Sequence, residues 1–123
     1  MKYTPLLAAQ ALLLTAPLAL ADGDAVIGKA LFSAQCGFCH SAENGKHLMG
    51  PSLHQVFGRA SAQAQGFSYS SALQGAGLQW NDATLERWLS NPATLVPGNN
   101  MMFPGQPDPQ SRQHLIAYLK SLH

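Results

Sequence analysis

Cys36-Gly37-Phe38-Cys39-His40 contains both cysteines of the chain and one of its five histidines. A Cys-x-x-Cys-His segment is the arrangement through which c-type haem is attached covalently. Two thiols at this spacing can each add to one haem vinyl group, and the adjacent imidazole reaches the iron. Attachment and one axial ligand would therefore come from a single short segment, and we expect the rest of the chain to be built around it.

Two other chemistries use a pair of cysteines. A dithiol redox pair of the thioredoxin type follows a strand in a βαβ pattern, and no strand pattern precedes Cys36. A structural zinc site takes four ligands, commonly from two such pairs, and this chain has a single pair. Covalent haem attachment is the interpretation that the sequence favours.

The segment before this motif predicts a helix. Asp24 is placed as its N-cap, and Ile27, Leu31 and Ala34 follow at helical spacing up to about Gln35. Gly28 within this helix is unfavourable by about 1 kcal/mol, which indicates that another element crosses closely there.

Residues 1–21 predict an export signal. Lys2 gives a charged start, Leu6–Leu20 is an apolar run, and Ala19-Leu20-Ala21 offers small residues at the cleavage position. The mature domain would then be residues 22–123, located in the periplasm. The alternative is a membrane span, although two prolines and a glutamine interrupt an already short run. If uncleaved, the segment would tether the same domain to a membrane.

Length and charge narrow the possible functions. The chain has 123 residues, of which 11% are charged, and this predicts one modest domain. Residues 22–123 carry six Lys or Arg and six Asp or Glu. Because a nucleic-acid-binding protein presents an excess of basic residues, no nucleic-acid partner is expected.

Two further segments predict helices. Asp108-Pro109 combines an N-cap with proline at the first helical position, and it opens a terminal helix with one apolar face formed by Leu115, Tyr118, Leu119 and Leu122. A shorter helix can be capped by either Asn81 or Asp82. It carries Leu85, Trp88 and Leu89, and it should end near Asn91 because Pro92 follows.

The remaining residues, roughly 41–80 and 92–107, are rich in Gly, Ser, Asn, Gln and Pro and show no alternation typical of strands. Loops of this length are uncommon in a compact domain. A large cofactor on which they pack would resolve the conflict. We therefore predict a small all-α domain with one or two short helices between the terminal ones.

From about residue 23 to residue 122 the sequence resembles the class I cytochromes c, the family that includes mitochondrial cytochrome c and its bacterial relatives. Single landmarks are weak, but the ordered set is specific: Gly28 and Phe32, Cys36-Gly37-Phe38-Cys39-His40, Gly50-Pro51-Ser52-Leu53, Phe57-Gly58-Arg59, Gly66-Phe67-Ser68-Tyr69, Trp80, Asn91-Pro92, Pro97-Gly98-Asn99-Asn100-Met101 and Leu115-Ile116-Ala117-Tyr118-Leu119-Lys120.

The resemblance implies a fold in which N- and C-terminal helices cross near Gly28, Phe32, Leu115 and Tyr118, with loops wrapped around one covalently bound haem c. It implies that Met101 is the second axial ligand, opposite His40. Met102 and Met49 are the alternative methionines. The other histidines, His47, His54, His114 and His123, are expected to be surface or structural residues.

Further contacts are implied by the same resemblance. The carbonyl of Pro51 would accept the Nδ1 proton of His40 and fix its orientation. Arg59, Tyr69 and Trp80 match positions that hydrogen-bond the haem propionates; the alternative is an ordinary surface arginine and ordinary core aromatics. His47 resembles a histidine that ties two loops together.

The chain also departs from the family pattern. Trp88 replaces a tyrosine and Leu73 replaces an asparagine, and both changes remove polar partners near the iron. The lysines that surround the exposed haem edge are absent, and the matching positions hold Gln35, Ala93, Thr94 and Asn100. Recognition of partners by a lysine ring is therefore not expected.

These features predict a monomeric one-electron carrier rather than an enzyme. Histidine and methionine would fill both axial positions, which disfavours substrate binding at iron. The partners would be redox proteins: a reductase, and a terminal oxidase or dehydrogenase. The alternatives are a dedicated electron-transfer subunit or donor of one dehydrogenase, and a haem sensor or peroxidase-like protein with a labile methionine. Residues 92–107 contain neither His nor Glu, so nothing beside Met101 supports acid/base catalysis.

Overall fold

Five helices make up the secondary structure of residues 22–123, the part of the chain that the computed structural model describes. They are α1 (Ala25–Gln35), α2 (Ser71–Gln74), α3 (Asp82–Ser90), α4 (Pro92–Leu95) and α5 (Pro109–Lys120). Within this range, β-structure is confined to an isolated antiparallel bridge between Ala60 and Gln79. The predicted all-α class is confirmed. The predicted export signal, residues 1–21, lies outside the described residues.

Helix α1 begins and ends where the sequence indicates. The Asp24 carboxylate accepts the backbone N–H groups of Val26 at 2.7 Å and Ile27 at 3.2 Å. Cys36 is the C-cap residue, and its backbone N–H donates to the carbonyl of Phe32 at 2.8 Å. The helix therefore delivers the chain directly into the first cysteine of the haem-attachment motif.

Helix α5 confirms the predicted terminal helix. The Asp108 carboxylate accepts the Ser111 N–H at 2.8 Å, and Pro109 lies in the first turn. Leu115, Ile116 and Leu119 are its buried residues. Leu122 is not part of the helical face as predicted, because the helix ends at Lys120. It packs against the core from the C-terminal tail.

The first and last helices cross at a glycine, as predicted. A Cβ atom at Gly28 would overlap the backbone carbonyl of His114 and crowd the side chain of Tyr118. Next to it the rings of Phe32 and Tyr118 pack 5.2 Å apart between centroids, tilted by 58°. Any larger residue at position 28 would hold the two helices apart.

Between the terminal helices there are three short helices, where we predicted one or two. Asn81, rather than Asp82, is the N-cap of α3: it forms a reciprocal capping box with Thr84. Asn91 then serves both as C-cap of α3 and as N-cap of α4. Pro92 ends α3 as expected but also starts α4, since proline is favoured in the first turn.

The core lies where α1, α3 and α5 meet, and it consists of Phe32, Val56, Trp80, Leu85, Leu89, Leu115, Ile116 and Leu119. Leu53, Phe57 and Leu78 pack against it from the loops. Among residues 22–123, each helix is too short or too polar to cross a lipid bilayer.

Candidate functional site

A cavity of about 380 Å³ opens between the core and the loops. Its size falls within the range of about 300–1,000 Å³ typical of small-molecule and cofactor sites. It is lined by every residue that the sequence assigned to the site: Cys36, Cys39, His40, Pro51, Arg59, Tyr69, Trp80 and Met101. The remaining wall is mostly apolar, with Leu53, Val56, Leu85, Leu89, Phe103, Leu115 and Leu119.

The attachment motif lies in a tight turn at the end of α1. The backbone N–H groups of Cys39 and His40 both donate to the carbonyl of Cys36, at 3.0 and 2.8 Å. This turn brings the two thiols and the imidazole to one wall of the cavity. Burial, together with the nearby Cys39, raises the pKa of the Cys36 thiol to about 11. Redox-active cysteine pairs have lowered pKa values, so this environment does not resemble a thioredoxin-type site.

One ring nitrogen of His40 is hydrogen-bonded to the protein, which leaves the other available as a metal ligand. Its Nδ1 donates to the carbonyl oxygen of Pro51 at 2.7 Å. Burial lowers the pKa of His40, and the hydrogen bond to Pro51 opposes that shift only in part. The imidazole is therefore neutral near pH 7 and keeps a lone pair on Nε2, which is the form that binds a metal.

Gly50 provides the space for this ring. A Cβ atom at Gly50 would collide with Cε1 of His40, and the Gly50 N–H donates to the Cys39 carbonyl at 2.7 Å. The segment carrying Pro51 is thus packed directly against the imidazole that it orients. Sequence reasoning named Gly50 only as part of a family landmark; its role follows from this contact.

The cavity also holds polar donors with spare capacity. Arg59 donates from Nη1 to the carbonyl of His54 at 3.2 Å. Its Nε is buried and has no hydrogen-bond partner. It is the only such atom among the buried side-chain nitrogens and oxygens of residues 22–123. The Tyr69 hydroxyl accepts the Ala64 N–H at 3.0 Å, which leaves its own proton available. A buried N–H group of a charged side chain lowers the stability of the folded protein when it has no hydrogen-bond acceptor, and an anion would provide one.

Met101 and Met102 both line the cavity but differ in exposure. Met102 is 92% exposed, whereas Met101 is partly buried. The side chain of Asn99 fixes the backbone just before them, because its Oδ1 accepts the Met101 N–H at 2.9 Å and its Nδ2 donates to the Val96 carbonyl at 2.9 Å. Asn99 is a positioning residue that the sequence analysis did not single out, although asparagine is typical of such local turns.

Met49 lines the same cavity, whereas the four histidines other than His40 lie outside its wall. Met49 reaches the cavity but is 65% exposed. His47 ties two loops together: its Nε2 donates to the Gln65 carbonyl at 2.7 Å, and its Nδ1 accepts the Ser52 N–H at 3.0 Å. His47, His54, His114 and His123 are all absent from the cavity wall.

The two departures that remove polar partners near the iron, Leu73 and Trp88, lie on the cavity wall. The Trp88 ring packs against Trp80 with centroids 5.4 Å apart. The wall is therefore more apolar at these points than a tyrosine and an asparagine would make it.

These residues fit a haem on three independent observations. Two thiols and a neutral imidazole lie together at one wall of an apolar cavity. The His40 imidazole fits against Gly50 only because this residue has no side chain beyond hydrogen. The unpaired Nε of Arg59 would be satisfied by a carboxylate, such as a haem propionate. Elsewhere in residues 22–123, no cluster of three or more His, Cys, Asp or Glu offers another metal site.

Comparison with known proteins gives one consistent family. Residues 25–123 match the cytochrome c family profile. The chain is 43% identical over 99 residues to cytochrome c of Gossypium barbadense, covering 80% of this chain and 89% of the relative. It is 44% identical over 100 residues to cytochrome c2 of Rhodopila globiformis, covering 81% of this chain and 94% of the relative. Among solved structures it is similar to cytochrome cH from Methylobacterium extorquens, with a TM-score of 0.75, 41% identity, and coverage of 80% of this chain and 99% of that one.

Proposed function

Since this chain belongs to the cytochrome c family, a family of monohaem electron carriers, we propose that it passes single electrons between redox proteins through a haem held by Cys36, Cys39, His40 and Met101. The chain is an electron-transfer protein rather than an enzyme, and it carries one covalent haem c. The observation that carries the residue assignment is that all eight residues expected at the site line one cavity.

The protein's part in this function is to hold the group, orient its ligands and exclude water. The haem itself supplies the one-electron chemistry, by cycling of its iron between Fe(II) and Fe(III). Pro51 keeps the His40 imidazole in the tautomer whose Nε2 is free to bind. Arg59, Tyr69 and Trp80 would hold the propionates, with the unpaired Nε of Arg59 as the strongest support.

The site gives no support to catalysis at the iron. His40 and Met101 would both hold the iron, which would disfavour binding of a substrate to it. The loop from residue 92 to residue 107 offers no His, Glu or Asp beside Met101 that could move a proton. A carrier therefore fits this cavity better than a peroxidase-like protein.

We infer that residues 1–21 are removed on export and that residues 22–123 act in the periplasm as a monomer. The partners would be a reductase as electron donor and a terminal oxidase or a dehydrogenase as the other redox protein. The support is the apolar run and small-residue cleavage site of the N-terminal segment.

Mass spectrometry of protein from cells able to make c-type cytochromes tests the attachment and the processing together. After acid and organic extraction, we expect a chain starting at Asp22 whose mass exceeds that of the polypeptide by one haem. The variant with both Cys36→Ala and Cys39→Ala should lose the haem on extraction, and Ser33→Ala, a nearby exposed position, should retain it. A wild-type mass equal to that of the bare polypeptide would refute the attachment.

A further inference from the structure

The loop that carries Met101 has little backbone structure of its own. Within residues 22–123, backbone-to-backbone hydrogen bonds of this loop are made at Asn99, which donates to Val96 at 3.2 Å, and at Gln106, which donates to Leu89 at 2.7 Å. Residues 100–105 between them make none. The position of Met101 therefore depends on how firmly the two ends of the loop are held.

At the C-terminal end of the loop, one side chain holds two successive carbonyls. Nη1 of Arg112, on α5, donates to the carbonyl of Gln106 at 2.7 Å and to that of Pro107 at 3.1 Å. The side chain of Gln106 in turn donates to Gln35 at the end of α1, at 3.0 Å. This end of the loop is thus linked to the helix that leads into Cys36.

Arg112 is itself held in place from α3. Its Nε lies 2.5 Å from Oε1 of Glu86, and the side chains are only 11% and 29% exposed. The other carboxylate oxygen of Glu86 accepts a hydrogen bond from Nε2 of Gln113 at 3.0 Å. The Nε of the guanidinium is therefore held by Glu86 of α3, while Nη1 donates hydrogen bonds to the loop. A lysine cannot do both, because its ammonium is a single point of charge on a flexible stem.

We propose that Arg112, anchored by Glu86, is the positioning residue that keeps the Met101 loop closed over the cavity. The proposal rests on the proposed function, because it takes Met101 as the axial ligand. A thioether binds iron weakly, so the bond persists only if the loop is already in place. Loosening the C-terminal end of the loop raises the fraction of molecules in which Met101 has left the iron.

Imidazole measures that fraction directly. In the oxidised protein this small base binds the iron only when the methionine has left, so its apparent affinity scales with the population of the open loop. We expect Arg112→Lys to bind imidazole at least about tenfold more tightly than wild type, since a lysine cannot keep both the contact with Glu86 and the two hydrogen bonds to the loop. Glu86→Gln, which keeps the arginine but removes its charged anchor, should show a smaller tightening in the same direction.

A matched control lies between the same two helices. Lys120 of α5 pairs with Asp82 of α3 at 2.6 Å, and its ammonium lies 5.0 Å from the centre of the Phe57 ring, outside the loop that carries Met101. Asp82→Asn removes that ion pair, and we expect its imidazole affinity to stay within about twofold of wild type. Leu31→Ala lowers global stability through α1 and serves as a second control, with denaturant unfolding measured for all variants.

Two results would overturn the proposal. One is an imidazole affinity of Arg112→Lys, or of Glu86→Gln if the first variant does not fold, that equals wild type. The other is a tightening that Leu31→Ala reproduces at equal loss of global stability. Failure of the proposed function looks different: the wild-type spectrum would lack the methionine-to-iron band, and Met101→Ala would bind imidazole no more tightly than wild type.

Discussion

Met101 and Met102 are adjacent in sequence and differ chiefly in exposure, with Met102 92% exposed and Met101 partly buried. We expect Met101→Ala to abolish the weak methionine-to-iron absorption band of the oxidised protein, because the ligand is lost. Met102→Ala should leave the band in place. Absorption spectra of both variants at neutral pH provide the measurement, and the reverse pattern would show that Met102 is the ligand.

Individual residues of the site were predictable to different degrees. The cysteines and His40 follow from one motif whose spacing is set by covalent chemistry. Arg59 could be named only through resemblance, and what distinguishes it in the structure is a buried Nε with no partner. The roles of Asn99 and Arg112 are not readable from sequence, because each depends on backbone groups brought near by the folded loop.

Among the helices, α1 and α5 provide the sharpest test of packing. Gly28→Ala places a methyl group against backbone atoms of His114, which cannot move aside as a side chain can. We expect the free energy of unfolding to fall by about 1–3 kcal/mol, as for other overpacked sites. Denaturant unfolding would measure it, with Lys29→Ala on the exposed side of α1 as the control, expected to change stability by less than about 0.5 kcal/mol. An unchanged stability for Gly28→Ala would mean that the helices cross elsewhere.

The N-terminus of α5 gives a prediction about pH. Hydrogen bonds from the side chain and backbone of Ser111 lower the pKa of Asp108. A carboxyl group whose pKa is lowered on folding stabilises the protein above its ordinary pKa of about 3.9 and loses that contribution as pH falls through the lowered value. Asp108→Asn keeps a capping oxygen but does not titrate.

We therefore expect unfolding free energy to decline less steeply below about pH 4 in Asp108→Asn than in wild type. Urea unfolding at a series of acid pH values would show it. Asp22→Asn makes the same change of charge at an exposed position outside the helices and serves as the control. Parallel curves for wild type and Asp108→Asn would contradict the prediction.

The three longer helices were predictable because each combines an N-cap with apolar residues at helical spacing. The one-turn helices α2 and α4 were not, since four residues are too few to show a period. At Asn91-Pro92 the sequence correctly indicated an end to α3. It did not reveal that the same asparagine caps a new helix, because that depends on the direction in which the chain leaves.

At the scale of the whole molecule, residues 22–123 carry few charges, and half of their basic side chains are paired. Three of the six basic side chains of residues 22–123 form ion pairs with acidic ones: Lys46 with Glu43, Arg112 with Glu86 and Lys120 with Asp82. The positions where relatives of the lysine-ring type would carry lysines are exposed and uncharged: Gln35, Ala93, Thr94 and Asn100. Phe38, Ala93 and Pro104 are also exposed, and we expect them to form part of the docking surface.

Docking should therefore depend little on long-range electrostatic steering. Between low and physiological salt, we expect the rate of electron transfer to the natural oxidase to fall by much less than tenfold, since steered association is what salt slows. Stopped-flow measurement of the bimolecular rate against ionic strength tests this. A fall of tenfold or more would show that charge is concentrated around the haem edge despite the balanced total.

The crossing of α1 and α5 also has a kinetic meaning. The Asp24 N–H donates to Nδ1 of His114 at 2.8 Å, across a separation of 90 residues. Helical proteins dominated by local contacts fold within microseconds to milliseconds, whereas contacts distant in sequence require the closure of a long loop before they stabilise anything. Although every regular element of residues 22–123 is a helix, the pairing of α1 with α5 joins the two ends of that range. A nascent chain therefore cannot form this pairing until its last helix has been released.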